Sequence, residues 1–369
     1  MREGWEYKKL GDSCVIEYGT RVVQKKDGGT IYPVYGGGGE TFRMDKYNRE
    51  NCLVVARFAM SRTCVRYVTG KFFLNDSGLS INAGKELLQS YLNHHILHLN
   101  DDIYNLGKGA AQRNLDVNSF RNLIIAIPPL STQLSIVSEL DKINELIRLK
   151  KEQLKDYDNL AQSIFYEMFG DPVENQKGWE ERTMQDLCVN IVDCPHSTPK
   201  KVDYITDYPC IRTSELRGGS ISWATMQYLD EDEYNIRIAR LKPEAGDIVF
   251  GREGTIGDAV ILPLGYNFSL GQRTMLLRAD TSIVSNVFLH RTILSDWIKH
   301  QIEYVNVSST VAHVNIKDFK KFTVPLPPLS LQQLFAQRIE LIEQQKAEIQ
   351  STIADLETLL ASRMQYWFD

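Results

Sequence analysis

The chain has 369 residues, is 43% hydrophobic, 24% charged and 10% aromatic, and carries a formal net charge of −5. That length points to two domains of roughly 150 residues each, and the composition is that of an ordinary soluble globular protein. No apolar run reaches about 18 residues and no basic-then-apolar leader is present, so no membrane span or secretory signal is expected and the chain is assigned to the cytoplasm.

Six cysteines (Cys14, Cys52, Cys64, Cys188, Cys194 and Cys210) are scattered without a C-x-x-C pair, which argues for reduced thiols and against a zinc knuckle. Cys194 and His196 in "DCPHSTPKK" are two donors without a second pair, so no metal site is expected. The charge is uneven: residues 1 to 129 sum to +4, 130 to 170 to −2, 171 to 328 to −4 and 329 to 369 to −3. Nucleic-acid contact would therefore rest on local basic surfaces rather than on the whole chain.

In chain order, "GWEYKKLGDSCV" at 4 to 15 opens the first half. Strand-like runs follow in "NCLVVARF", "TCVRYVTG" and "KFFLND", then an amphipathic helix in "ELLQSYLNHHILHL" and a last strand in "LIIAIPPL". His94 and His95 are expected on that helix's surface. "AIPPLSTQ" at 126 to 133 ends this block, and a long helix begins at Ser131, a good N-cap after Pro-Pro-Leu. Ile136, Leu140, Ile143, Ile147, Lys150, Leu154, Tyr157, Ala161, Ile164 and Met168 then alternate steps of four and three, a coiled-coil seam that stops at Gly170 before Asp171-Pro172.

The second half repeats this plan. "GWEERTMQDLCV" at 178 to 189 echoes the first opening, and "PLPPLSLQ" at 325 to 332 echoes the first proline motif 199 residues on. Between them lie strand-like "GDIVFGR", "DAVILPL", "TMLLRAD" and "FTVPLPPL", with "NVFLHRTILSDWIKHQIEYV" as the helix. After Ser330 a second seam runs through Phe335, Ile339, Ile342, Lys346, Ile349, Ile353, Leu356, Leu360, Arg363 and Trp367. Both helices run about 39 residues, roughly 58 Å, and equal lengths suggest that they pair. Lys150 and Lys346 at seam positions are expected to snorkel, set register or face another partner. The fold class expected is α/β of the mixed α+β kind: one globular fold used twice, with two long helices.

Catalytic signatures are missing. Ile127 and Leu326 precede the prolines and Leu130 and Leu329 follow them, an apolar flank that cannot hold the amino group of a flipped adenine as a methyltransferase must. "GREGTIG" at 251 to 257 and "YGGGGE" at 35 to 40 match neither dinucleotide nor P-loop patterns and read as loops of close backbone approach or plain turns. What remains is a set of basic and amide residues near those loops: Arg57, Arg62, Arg66, Lys108, Gln112 and Arg113 in the first half, and Arg252, Thr255, Gln272, Arg273, His313, Lys317, Lys320 and Lys321 in the second. Arg and Gln read guanine and adenine edges bidentately and Lys grips phosphate, which makes these the DNA-binding candidates.

Taken together, "YPVYGGGGE" with "TFRMDKYN", "GDIVFGREGTIGDA", "GAAQRNLDVNSFRNLIIAIPPLSTQ" and the doubled Pro-Pro-Leu-Ser-x-Gln plus long helix resemble the DNA-specificity (S) subunit of Type I restriction-modification systems. "VSSTVAHVNIKDF" at 307 to 319 departs from the glycine-rich form of the first copy and weakens carry-over to that loop. The resemblance implies a chain without catalytic activity whose target recognition domains, 1–129 and 171–328, each read one half of a split, asymmetric double-stranded DNA site. Spacer helices 130–170 and 329–369 would fix the spacing and dock two modification subunits. This chain would bind no cofactor. S-adenosylmethionine, ATP and magnesium would belong to the modification and restriction subunits. Two recognition domains about one DNA turn apart, roughly 34 to 36 Å, favour an antiparallel helix pair with pseudo-twofold symmetry. The alternatives of other classes are an enzyme acting alone, such as a methyltransferase or nuclease, and a coiled-coil scaffold with two protein-binding heads.

Overall fold

Each GWE opening leads into a short strand that pairs antiparallel with the strand just before the proline motif. Glu6–Lys9 pairs with Ile124–Ile127, and Glu180–Thr183 pairs with Thr323–Leu326. The two echoes that flank each globular segment are therefore its chain entrance and exit, hydrogen-bonded together. A computed structural model of the chain describes residues 2–109, 112–306 and 313–369. Met1, the two alanines of "GAAQ" and residues 307–312 of the "VSSTVA" stretch lie outside the described residues.

Among the described residues the first segment holds a six-stranded sheet in which Cys14–Tyr18, Gly78–Ala83, Arg49–Ala56 and Val65–Leu74 are successive neighbours. In the second segment Cys188–Asp193, Thr274–Ala279, Ile248–Gly251 and Ala259–Ile261 follow in the corresponding order. The antiparallel pairings correspond as well: Cys14–Tyr18 with Gly78–Ala83 matches Cys188–Asp193 with Thr274–Ala279. Alternation and β-branched content place Leu53, Val55, Leu79 and Ile81 in the first core, and Ile248, Phe250, Met275 and Leu277 in the second. The second segment holds a separate four-stranded sheet in which Pro209–Ile211 pairs antiparallel with Gln227–Leu229 and parallel with Ser269–Leu270, as Tyr32–Tyr35 pairs antiparallel with Glu40–Met44 and parallel with Val65–Leu74 in the first.

Two sequence expectations shift. "TCVRYVTG" and "KFFLND" form one strand, Val65–Leu74, because Gly70 at φ 76° opposes a bulge at Asn51 (φ 46°), whose Oδ1 accepts from the Gly70 N–H at 2.7 Å. The expected single helix of the second segment is two, Asn286–Ile293 and Asp296–Asn306. Ser295 breaks it: its N–H donates to the Thr292 carbonyl at 3.1 Å and its hydroxyl to the same oxygen at 2.6 Å.

The long helices are Leu130–Phe169 and Leu329–Phe368. They do not stand apart from the globular segments. One compact unit comprises Met1–Gln153 with Ile349–Asp369, and the other comprises Leu154–Glu348. Within the first unit, Glu139 bonds Arg363 and Trp367 while Lys151 pairs with Glu357 at 2.8 Å. Residue numbers rise along one helix as they fall along the other, so the segments run antiparallel. Within the second unit, Lys346 pairs with Asp158 at 2.8 Å and Phe335 packs on Phe165 and Phe169, again antiparallel.

The reason for this division is burial. Ile136 and Leu140 are fully buried in the first globular core, with Leu360, Met364, Trp367 and Phe368 packed against it. Ala161, Phe165, Met168, Phe335, Ile339 and Ile342 join the second core. Farther along the seam, Ile143, Ile147, Ile349 and Ile353 are buried, while Leu154, Tyr157, Ile164, Lys150, Lys346, Leu356 and Leu360 are half-buried.

The glutamine of the doubled motif has a specific task. Gln133, fully buried, accepts from the Leu88 N–H at 2.8 Å and donates to the carbonyls of Glu86 at 2.8 Å and Pro128 at 2.9 Å. Gln332, also fully buried, accepts from the Ser285 N–H at 2.8 Å and donates to the Pro327 carbonyl at 2.8 Å. Each glutamine thus ties the first turn of a long helix to its own proline and to the segment entering the globular helix. Polar groups buried there need such partners.

Candidate nucleic-acid interface

In the first unit three loops meet at the ends of the sheet. The Arg57 N–H donates to the Ser77 carbonyl, Met60 N–H to Arg113, and Ala59 N–H to the Asn114 side chain, at 2.8, 2.9 and 3.2 Å. Gly37 of the "YGGGGE" loop lies so close to this loop that a β-carbon would meet the Phe58 carbonyl at 2.5 Å. That close approach accounts for the glycine at position 37.

Four arginines gather on this frame. Arg57 lies over Phe58 and Tyr18 at 4.4 and 4.9 Å from the ring centres. Arg113 and Arg62 both face the Tyr104 ring, at 4.6 and 5.0 Å, and Arg66 donates to the Gly37 and Thr63 carbonyls at 3.1 and 3.0 Å. Cation–π contact holds a guanidinium in place without neutralising it. Tyr104 was not singled out in the sequence; its only signal is an aromatic residue just before the Gly-Lys-Gly stretch. Lys108 is engaged with the N-cap carboxylate of Asp116, while Gln112 is exposed. The Lys108 ammonium and the Ser119 bonds hold the Asp116 carboxyl down at about 2.

The second unit repeats the frame with different side chains. Arg252, the counterpart of Arg57, donates its backbone N–H to the Arg273 carbonyl at 2.8 Å. Its side chain is not an outward contact: it is 8% exposed, donates to the Val314 carbonyl at 2.9 Å and pairs with Asp193. Arg252 is therefore a structural tie. Thr255 donates to the Thr213 carbonyl at 3.1 Å, and Gln272 spends its amide on the His196 carbonyl. Arg273 remains exposed, with Nε 3.2 Å from Glu253. Lys317 and Lys321 are exposed, whereas Lys320 lies half-buried on a segment whose carbonyl accepts from Gln185, so these lysines belong to a different stretch of backbone from the Gln272–Arg273 loop. The His313 N–H donates to the Asn306 side chain at 2.8 Å.

Asp193, Cys194 and His196 place three donor atoms within 4.8 Å of one another. The Arg252 guanidinium already occupies the Asp193 carboxylate, setting a fixed positive charge against any cation, and burial raises the Cys194 thiol. Neither condition suits a metal. The expectation for the helix histidines is corrected: His95 is 2% exposed and stacks on Phe368 at 4.6 Å, and His94 bonds Asp141 at 2.7 Å. Burial lowers the His95 pKa to about 3, so it is a neutral core residue.

Two concavities open beside Arg273. One of about 200 Å³ is lined by His196, Arg252, Glu253, Gln272 and Arg273. The other, of about 400 Å³, shares Gln272 and Arg273 and is lined also by Lys201 and Arg212. Each unit thus presents basic and amide groups on loops of a strand frame, with aromatic rings beneath the arginines of the first, an arrangement suited to phosphates and base edges.

Comparison with known proteins accords with this arrangement. A family model described as Type I restriction modification DNA specificity domain matches residues 2–156 and 176–357. The Type I restriction enzyme MjaVIII specificity subunit of Methanocaldococcus jannaschii is 21% identical over 251 residues, 64% of this chain and 59% of that protein. The chain thus spans about three fifths of the length of that relative and of the putative MjaX subunit from the same organism. A putative Type I restriction enzyme specificity subunit of Haemophilus influenzae, S.HindORF215P, is 20% identical over 338 residues, 89% of this chain and 84% of that protein. The crystal structure of the Type-I restriction-modification system S subunit from M. genitalium superposes with a TM-score of 0.58 at 15% identity, covering 99% of this chain and 96% of that one. At that identity the likeness is one of fold. Because both matched blocks begin beside a GWE segment and together take in both strand frames and most of both long helices, the chain belongs to the family of Type I restriction-modification DNA specificity domains.

Proposed function

We propose that this chain is the DNA-specificity subunit of a Type I restriction-modification complex, itself without catalytic activity and working in the cytoplasm. Residues 1–129 and 171–328 act as target recognition domains, each reading one half of an asymmetric, split site in double-stranded DNA. The observation that carries this reading is one strand frame used twice with different side chains at equivalent places: Arg57 bonds Ser77 where Arg252 bonds Arg273. A scaffold that stays the same while its loops change suits two unlike half-sites. Among the described residues no helix is long and apolar enough to cross a membrane.

Spacer helices 130–170 and 329–369 fix the distance between the half-sites and dock two modification subunits. Exposed leucines along them, Leu134, Leu146 and Leu149 in one unit and Leu160, Leu334 and Leu341 in the other, support a docking role. S-adenosylmethionine is carried by the modification subunits, and ATP and magnesium by the restriction subunits. The net charge of −5 fits weak DNA binding by the isolated chain and strong binding once the partners enclose the duplex.

The test is an exchange of residues 171–328 for the equivalent segment of another family member, with the methylated sequence read out. One half of the recognised site changes and the other stays. A change in both halves refutes the modular reading.

A further inference from the structure

Arg273 stands in the loop between strands Ser269–Leu270 and Thr274–Ala279 at φ 66°, a conformation that suits glycine and strains an arginine. Strain of this kind persists where the surroundings impose it, and it clusters at functional sites. Here the backbone is held from both sides: the Gly271 N–H donates to Ile211, and the Arg273 carbonyl accepts from Arg252 at 2.8 Å. The loop therefore aims one side chain into the mouth shared by the two concavities.

The neighbouring charges are mostly committed. Arg252 is held by Asp193 and the Val314 carbonyl, Arg212 by Glu215 and the Thr225 carbonyl, and Gln272 by the His196 carbonyl. The pair that keeps free valence is Arg273 with Glu253, whose side chains are 63% and 38% exposed. Arg273 Nε faces Glu253 Oε2 at 3.2 Å, and its two terminal amino groups have no hydrogen-bond partner among the described residues. Glu253 Oε1 is likewise without one. The guanidinium thus offers two donors and the carboxylate beside it an acceptor.

That set is the complement of one base pair. Across the major groove a G·C pair presents two acceptors, guanine N7 and O6, and then the cytosine N4 amino donor. Resting on the recognition reading above, we infer that Arg273 and Glu253 together read a G·C pair in the half-site bound by residues 171–328, arginine forking on guanine and glutamate accepting from cytosine. The first unit cannot do this at the equivalent place, because the residue whose carbonyl accepts from Arg57 is Ser77. The Arg273–Glu253 contact is therefore made in one half-site alone.

The experiment is selection from randomised duplex DNA by the full chain assembled with its modification subunits, using wild type, R273A, R273G, R273Q and E253A. R273G removes the guanidinium while relieving the φ strain, so loss of folding does not explain its result. Wild type fixes G·C at one position of one block. R273A and R273G lower that preference about ten- to hundredfold and leave every other position unchanged. R273Q moves the preference toward A·T, and E253A weakens it at the same position. If wild type enriches a site and the R273G site is identical to it, this inference is overturned while the recognition reading stands. If wild type enriches no sequence, the recognition reading falls and this inference with it.

Discussion

Replacing Gln332 by leucine removes a buried carboxamide while keeping much of its volume. Two groups lose their partners: the Ser285 N–H and the Pro327 carbonyl, each bonded at 2.8 Å. The third contact, to the Ile283 carbonyl at 3.4 Å, is long and borders an exposed residue, so water replaces it at little cost. A buried group left unsatisfied costs about 1–3 kcal/mol, and the leucine recovers some apolar burial, so the second unit should lose about 3 kcal/mol. With a urea slope of about 2 kcal/mol/M, its midpoint should fall by about 1.5 M. Gln133→Leu strands the Leu88 N–H and the Pro128 carbonyl, while the carbonyl of exposed Glu86 can turn to water. It should therefore lower the first unit by a similar amount. Because two units need not unfold together, each transition is fitted separately from tryptophan fluorescence and circular dichroism. Shifts below about 0.3 M in both variants would refute the argument that the repeated glutamine anchors each helix.

Other outcomes follow from the same physics. Lys346 sits in the seam with its side chain 11% exposed, paired with Asp158 at 2.8 Å and Glu343 at 3.1 Å. Since desolvation offsets much of such a pairing, Lys346→Leu should raise the urea stability of the second unit by about 1 kcal/mol, and a loss of that size would show the ion pair to be net stabilising. Burial lowers the His290 pKa from 6.5 to about 4, and that of His95 to about 3. The unfolded chain therefore takes up protons before the folded one, and stability is complete above pH 6.5 and drains as pH falls toward those values. Each unit should lose on the order of 1 kcal/mol between pH 7.5 and 5.5, and flat denaturation midpoints across that window would contradict the neutral, buried assignment.

Repetition was the most legible property of the sequence. Periodicity located both long helices to within a residue or two, because heptad spacing sustained over about five heptads has few competing explanations. The doubled GWE and proline motifs marked chain entrances and exits, although nothing local indicated that their strands pair with each other across the length of a domain. The fate of individual polar residues was not legible. Arg252 and Arg273 both read as basic loop residues, yet one is an internal tie to Asp193 and the other is exposed beside Glu253. That difference depends on Val314 and Asp193, distant in sequence, reaching the Arg252 side chain. His95 looked like a surface histidine because its burial comes from Phe368, which lies 273 residues away in the chain. Gln133 and Gln332 were visible as a repeat but not as an anchor, since their partners lie in the segments leading into the globular helices.

The most direct test of the account is the methylome of a strain that lacks other adenine methylation and expresses this chain with its modification subunit. The account predicts methylation at an asymmetric site of two specified blocks separated by a fixed unspecified gap, with the second block altered by substitutions in 171–328 alone. Methylation at a continuous or palindromic site, or a site unaffected by those substitutions, would contradict it.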